Sequence, residues 1–140
     1  MKNIWLVVPC YNEEEVLPET SRQLKAVMQS MIDSGKISSE SKIAFVNDGS
    51  KDDTWNIISA LCADDGIFAG INLSRNKGHQ NALLAGLMTA KKYADAVISL
   101  DADLQDDVDA IEKMVDNFIA GDDIVYGVRS SRKKDTFFKR

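Results

Sequence analysis

The sequence predicts an α/β fold, a mostly parallel sheet with helices on both faces. Three observations lead there. Apolar runs of strand length alternate with stretches whose apolar residues recur at three- and four-residue steps. Strand–helix–strand order at this spacing requires crossover connections, which join parallel neighbours. The distinctive polar residues gather immediately after the strands, where ligands bind in such sheets.

The elements follow in order. Asn3–Val8 is a compact apolar run ended by Pro9 and reads as a strand buried on both faces. From Glu13 to about Ile32, Val16, Leu17, Leu24, Val27, Met28, Met31 and Ile32 mark one stripe of an amphipathic helix, with Gly35 as its C-terminal cap. Ile43–Val46 is a second strand and Thr54–Cys62 a second helix, capped from within Lys51–Thr54. Ile67–Leu73, His79–Tyr93 and Ala96–Leu100 read as strand, helix and strand. Val108, Ile111, Met114, Val115, Phe118 and Ile119 stripe a helix over Val108–Ala120, and Asp123–Val128 is a fifth strand. No element is assigned beyond Val128.

A chain of 140 residues suits one domain, and 44% hydrophobic with 28% charged residues is ordinary globular composition. The apolar run from Ile4 to Cys10 is far short of the roughly 18 residues that cross a bilayer. Asn12 and Glu13–Glu15 follow it at once, unlike a signal peptide, so a soluble segment is expected. Cys10 and Cys62 stand alone, which excludes a disulfide framework and a CxxC metal site; both read as small buried hydrophobes in a reducing compartment.

The net charge of −5 is unevenly spread. Residues 1–128 carry 11 basic and 21 acidic side chains, whereas 129–140 carry six basic ones against Asp135. The body repels nucleic acid; the tail suits a phosphate or an anionic membrane surface, and charge alone equally allows a solvated tail.

Asp101-Ala102-Asp103-Leu104-Gln105 carries the strongest chemical signal. Two carboxylates one residue apart at a strand end suit a hard divalent cation, which takes oxygen ligands and keeps water or substrate phosphate oxygens, and Gln105 adds a neutral oxygen. Asp106, Asp107 and Asp109 read instead as charge matching at the start of the next helix. In Asn47-Asp48-Gly49-Ser50, Gly49 permits a tight turn and Asp48 is suited to accept hydrogen bonds from a nucleobase imide or ribose hydroxyl; the tripeptide is also a common turn. After Pro9 and Cys10, Tyr11 offers a stacking face and Glu13 an acceptor, while Asn12 equally suits a helix N-cap. Arg75 and Lys77 are placed to offset diphosphate charge, and Gly78 lets a ligand approach the backbone. Neither GxxxxGK[ST] nor GxGxxG is present, and His79, the sole histidine, is read as structural.

Taken together, VVPCYNEEE, VNDGSKDDT, LSRNKGHQNALLAG, SLDADLQD and YGVRSSRKKDTFFKR resemble glycosyltransferase family 2 enzymes of the Rossmann-like GT-A fold, especially polyprenyl-phosphate sugar transferases. The resemblance covers essentially the whole chain. It implies an inverting transfer of a hexose from a UDP- or GDP-linked donor to a polyprenyl phosphate. Pro9, Tyr11, Glu13, Asp48, Lys77, Gly78, Asp101, Ala102 and Asp103 would meet the nucleotide sugar. Asp101, Asp103 and Gln105 would hold Mg²⁺ or Mn²⁺, and Arg129, with Arg132, would meet the acceptor phosphate, making Asp101, Asp103 and Arg129 the implied catalytic set. Val108 stands where relatives often have a helix-starting proline.

By the same resemblance, residues 1–128 form the nucleotide-sugar-binding part and 129–140 lead toward an acceptor-binding, membrane-contacting region of a longer protein, at the cytoplasmic side of the membrane. Two alternatives are a non-catalytic nucleotide-sugar-binding module and a phosphohydrolase with Asp101 as nucleophile and Asp103 as acid/base.

Overall fold

The computed structural model describes residues 1–103, 108–121, 124–128 and 134–139, the last two stretches as backbone strands. The elements are β1 (Ile4–Cys10), α1 (Leu17–Asp33), β2 (Lys42–Asp48), α2 (Thr54–Asp64), β3 (Phe68–Leu73), α3 (His79–Ala90), β4 (Ala96–Ser99), α4 (Val108–Ile119), β5 (Ile124–Val128) and β6 (Lys134–Lys139). They build one sheet in the order β3-β2-β1-β4-β6-β5. The first four positions are parallel, with Leu6 opposite Ile43 on β2 and Ile98 on β4. β6 runs antiparallel between β4 and β5, with Phe137 opposite Ile98 on one side and Val125 on the other.

Strand alternation sends each face to a different helix layer. Ile4, Leu6, Val8, Ile43 and Phe45 pack with Leu17, Leu24, Met28 and Met31 of α1, Ile58 of α2, and Ile111, Met114, Val115 and Phe118 of α4. Trp5, Val7, Ala44, Val46 and Val97 face α3 through Ala82 and Ala90. Between those two alanines lies Gly86, where an added Cβ would come within 2.4 Å of Val7 Cγ1. The small stripe Ala82–Gly86–Ala90 therefore lets α3 lie close on the strands, which fixes its N-terminus near the ends of β1 and β4.

The expected α/β sheet with helices on both faces is present, with three differences. β1 continues through Pro9 to Cys10. Val7 O accepts from Leu100 N, so Pro9, two residues on, faces the same edge, where pairing with β4 has already stopped at Ser99; no ladder bond needs its missing N–H. α1 starts at Leu17 rather than Glu13, because Pro18 sits at its first positions, where a missing N–H is harmless and φ is already helical. Its end is as expected: Gly35 at φ +78° donates to Ile32 O while Lys36 N donates to Met31 O, a Schellman closure. Finally, the basic segment contributes a strand, β6, where the sequence analysis assigned no element.

Candidate functional site

The loops that follow β1 and β2 are tied to each other before any ligand is considered. Asn12, at φ +53°, donates through its backbone to Ser50 Oγ (2.9 Å) and accepts from Lys51 N at Oδ1 (2.8 Å). Its side chain is thus a loop staple and not an N-cap. Glu13 N donates to Thr54 Oγ1 (2.8 Å), and Asp52 accepts from Thr54 N, Thr54 Oγ1 and Glu14 N. Burial pushes the Asp52 carboxyl upward, but the bonds from Thr54 and Glu14 outweigh it and hold it below its ordinary value. Asp53 occupies the N-cap of α2, but its Oδ1 accepts from Asn56 Nδ2 (3.1 Å) and makes no cap bond to the helix backbone; Asp52 accepts from Thr54 N instead.

A second tie joins β2 to the loop before α3. Asp48 is 3% exposed and accepts a 2.7 Å hydrogen bond from Lys77 N at Oδ1. Gly49, at φ +67°, packs so tightly against that loop that a Cβ would lie 2.2 Å from Asn76 N. Positive φ and close approach both require glycine there. One hydrogen bond leaves an ionised carboxylate further acceptor capacity.

Two adjoining cavities open at the carboxyl rim. The first, about 170 Å³, is lined by Pro9, Cys10, Tyr11, Asp48, Asn76, Gly78, His79 and Ala82. The second, about 180 Å³, is lined by Pro9, His79, Gln80, Leu83, Ser99, Leu100 and Asp101. Pro9, Tyr11, Asp48 and Gly78 from the sequence-based set thus share one cavity, and Asp101 lies in its neighbour. Glu13 and Lys77 line neither cavity; Lys77 meets the first through its backbone N–H on Asp48, whereas the backbone N–H of Glu13 is bonded to Thr54. Ala102 is buried, and its carbonyl accepts a 2.6 Å bond from Thr20 Oγ1 of α1, anchoring the segment between the two aspartates. Asp103 is exposed at the rim. Gln105, Arg129 and Arg132 lie outside the described residues.

His79 is the residue that sequence reasoning missed. It opens α3, lines both cavities, and places Nε2 4.0 Å from Asp101 Oδ1, with 59% of its side chain exposed. A histidine so exposed is not holding the core together. No periodicity marks it; only the approach of α3 to the end of β4 does. Cys10 is the opposite case. Burial first, and the Glu13 carboxylate second, push its thiol far up, and Sγ donates to Val8 O, so it is an inert lining group.

The donor set suits Mg²⁺ or Mn²⁺ in chemistry: two carboxylates on a backbone pinned by Thr20. Among the described residues no group of three His, Cys, Asp or Glu converges on one point, so a cation there needs oxygens from elsewhere. No helix among the described residues is long and apolar enough to cross a membrane.

Comparison with known proteins bears on the family and the fold. The chain is 53% identical over 135 residues to the uncharacterized glycosyltransferase YkoT of Bacillus subtilis (strain 168), covering 96% of this chain and 40% of that protein. It is 40% identical over 140 residues to a prophage bactoprenol glucosyl transferase homolog of Escherichia coli (strain K12), covering 98% and 42%. The chain therefore spans about two-fifths of the length of these relatives. Its fold resembles that of Staphylococcus aureus TarS 1-349 in complex with UDP-GlcNAc (TM-score 0.61, 19% identity, 87% of this chain, 33% of that one). It likewise resembles the mannosyltransferase PcManGT from Pyrobaculum calidifontis in complex with GDP-Man and Mn²⁺ (TM-score 0.55, 19% identity, 73% and 28%). The family model described as Glycosyl transferase family 2 matches residues 5–140, and with the rim site built as above, the chain belongs to that family.

Proposed function

We propose that this chain is the donor-binding part of an inverting glycosyltransferase that moves a hexose from a UDP- or GDP-sugar to a polyprenyl phosphate at the membrane surface. The observation that carries the reading is the pair of joined cavities, one suited to a nucleoside and the next reaching Asp101. In the first, Tyr11 offers an aromatic face for a base, and Asp48 accepts from a base imide or ribose hydroxyl while Lys77 N holds its orientation. Glu13, on the same loop as Tyr11, would add a further acceptor for the nucleoside. Asp101 and Asp103, with Gln105, would hold Mg²⁺ or Mn²⁺, which when bound supplies positive charge against the leaving diphosphate.

Arg129 and Arg132 would meet the acceptor phosphate. An oxygen of that phosphate, already ionised, attacks the anomeric carbon; the carbon–oxygen bond to the nucleoside diphosphate breaks and its electron pair stays on the diphosphate. The acceptor monoester, with a second pKa of about 6, is mostly dianionic near neutral pH and any remaining proton leaves to solvent as the diester forms, so no strong general base is required. The bactoprenol glucosyl transferase names among the relatives support the acceptor class, and the nucleotide-sugar complexes of the structural neighbours support the donor class.

The test is transfer of labelled hexose from UDP- and GDP-sugars to undecaprenyl phosphate in detergent, with Mg²⁺, Mn²⁺ or chelator. A lipid-linked product that requires the metal is expected. Nucleotide-sugar binding with no product favours the non-catalytic module, and release of p-nitrophenol from its phosphate monoester favours the phosphohydrolase.

A further inference from the structure

We infer that His79 is a donor-binding residue that grips the pyrophosphate of the nucleotide sugar where the two cavities meet. The inference rests on the donor reading above and adds a residue to it. Pro9 and His79 are the two residues that line both cavities. A ligand whose nucleoside lies beside Tyr11 and Asp48, and whose far end reaches Asp101, must lay the linking pyrophosphate across that junction. Pro9 has no N–H and no polar side-chain atom, so His79 is the side chain at the junction able to donate a hydrogen bond.

Local structure favours an anion there. His79 is the first residue of α3, and Gly78 before it, at φ +93°, caps the helix without any side-chain bond. The first-turn N–H groups of α3 and the positive end of its dipole lie at the same end of the helix as His79. His79 Nε2 stands 4.0 Å from Asp101 Oδ1, at the outer limit of an ion pair and beyond hydrogen-bond range, so the ring lies beside the carboxylate with no hydrogen bond between them. A phosphate oxygen between the nucleoside cavity and Asp101 falls within that ring's reach.

The experiment is calorimetry on the intact protein in metal-free buffer, which separates this contact from cation binding. The probes are UDP against uridine, and GDP against guanosine. His79→Ala is expected to weaken binding of the preferred diphosphate roughly tenfold, the scale of one lost hydrogen bond to a charged group, and to leave the nucleoside unchanged. His79→Gln, which keeps an N–H donor, is expected to recover most of the affinity. The exposed position lets both variants fold, checked by an unchanged Tm. Equal losses for nucleoside and diphosphate, or no loss for either, overturn the inference while the donor reading stands. If wild-type protein binds neither UDP nor GDP, the donor reading fails and this inference with it.

Discussion

Lys77 donates its backbone N–H to Asp48 Oδ1 at 2.7 Å across 29 residues of chain, locking the end of β2 to the loop that leads into α3. The same carboxylate is the proposed acceptor for the donor's nucleoside. Structural and binding roles therefore separate by substitution. Asp48→Ala removes both and is expected to cost about 1 kcal/mol of stability together with at least a tenfold loss of nucleoside affinity. Asp48→Asn keeps an oxygen for Lys77 N but loses the charge, so its Tm stays near wild type while nucleoside affinity still falls. Calorimetry beside thermal unfolding checks both.

Gly49 holds that junction closed. Its φ of +67° disfavours any side chain, and a Cβ would sit 2.2 Å from Asn76 N and 2.3 Å from Arg75 C. Those are backbone atoms that cannot rotate away. Gly49→Ala is expected to destabilise by about 2–4 kcal/mol, read from the urea midpoint at unchanged slope.

Thr20 reaches the aspartate segment from α1. Its Oγ1 donates to Ala102 O at 2.6 Å in a buried setting. Thr20→Val keeps the shape, leaves that carbonyl unsatisfied, and is expected to cost about 1–3 kcal/mol. Because Ala102 separates Asp101 from Asp103, the variant should also weaken Mn²⁺-dependent donor binding, whereas metal-free UDP or GDP binding stays unchanged. A stability loss with no change in metal dependence would assign Thr20 to packing alone.

Asp52 gives the loop network a pH signature. Its carboxyl lies below the ordinary value in the folded chain and is ordinary in the unfolded one. Such a group stabilises the fold above its unfolded value, and that contribution disappears as pH falls through the folded value. Asp65 is lowered by Lys25 first and Ile67 N second, and Glu19, near 2, by Arg22 first and Gln23 second; both carry the same sign. Comparison with Asp52→Asn isolates one member. Wild type should be the more stable at pH 7, and the two curves should converge on acidification below about pH 4. Parallel curves throughout would contradict the assignment.

The parallel core was legible because strands buried on both faces, such as Ile4–Val8 and Ile43–Val46, read as unbroken apolar runs of the right length. The start of α1 was misplaced because apolar periodicity from Val16 onward says nothing about where a helix begins; Pro18 does, and it outweighs three preceding glutamates. β6 was invisible in Lys134–Lys139 because its pairing with β4 and β5 is non-local and its composition reads as a basic tail. Within the site, the strand-end rule pointed to Tyr11, Asp48, Gly78 and Asp101, and these residues line the two cavities. It gave no means of separating a rim residue that lines a cavity, His79, from one that stabilises the backbone, Asn12. That distinction depends on how closely α3 approaches β4 and on φ at Asn12, which are tertiary facts.

The proposed transfer requires a divalent cation linking the aspartate pair to the donor pyrophosphate. The most direct measurement is the affinity of the preferred nucleoside diphosphate with Mn²⁺ and with chelator, for wild type, Asp101→Ala and Asp103→Ala. Mn²⁺ should tighten wild-type binding at least tenfold, and both substitutions should erase that gain while leaving chelator affinity near wild type. A wild-type affinity indifferent to Mn²⁺, or a gain that survives in both variants, would contradict it.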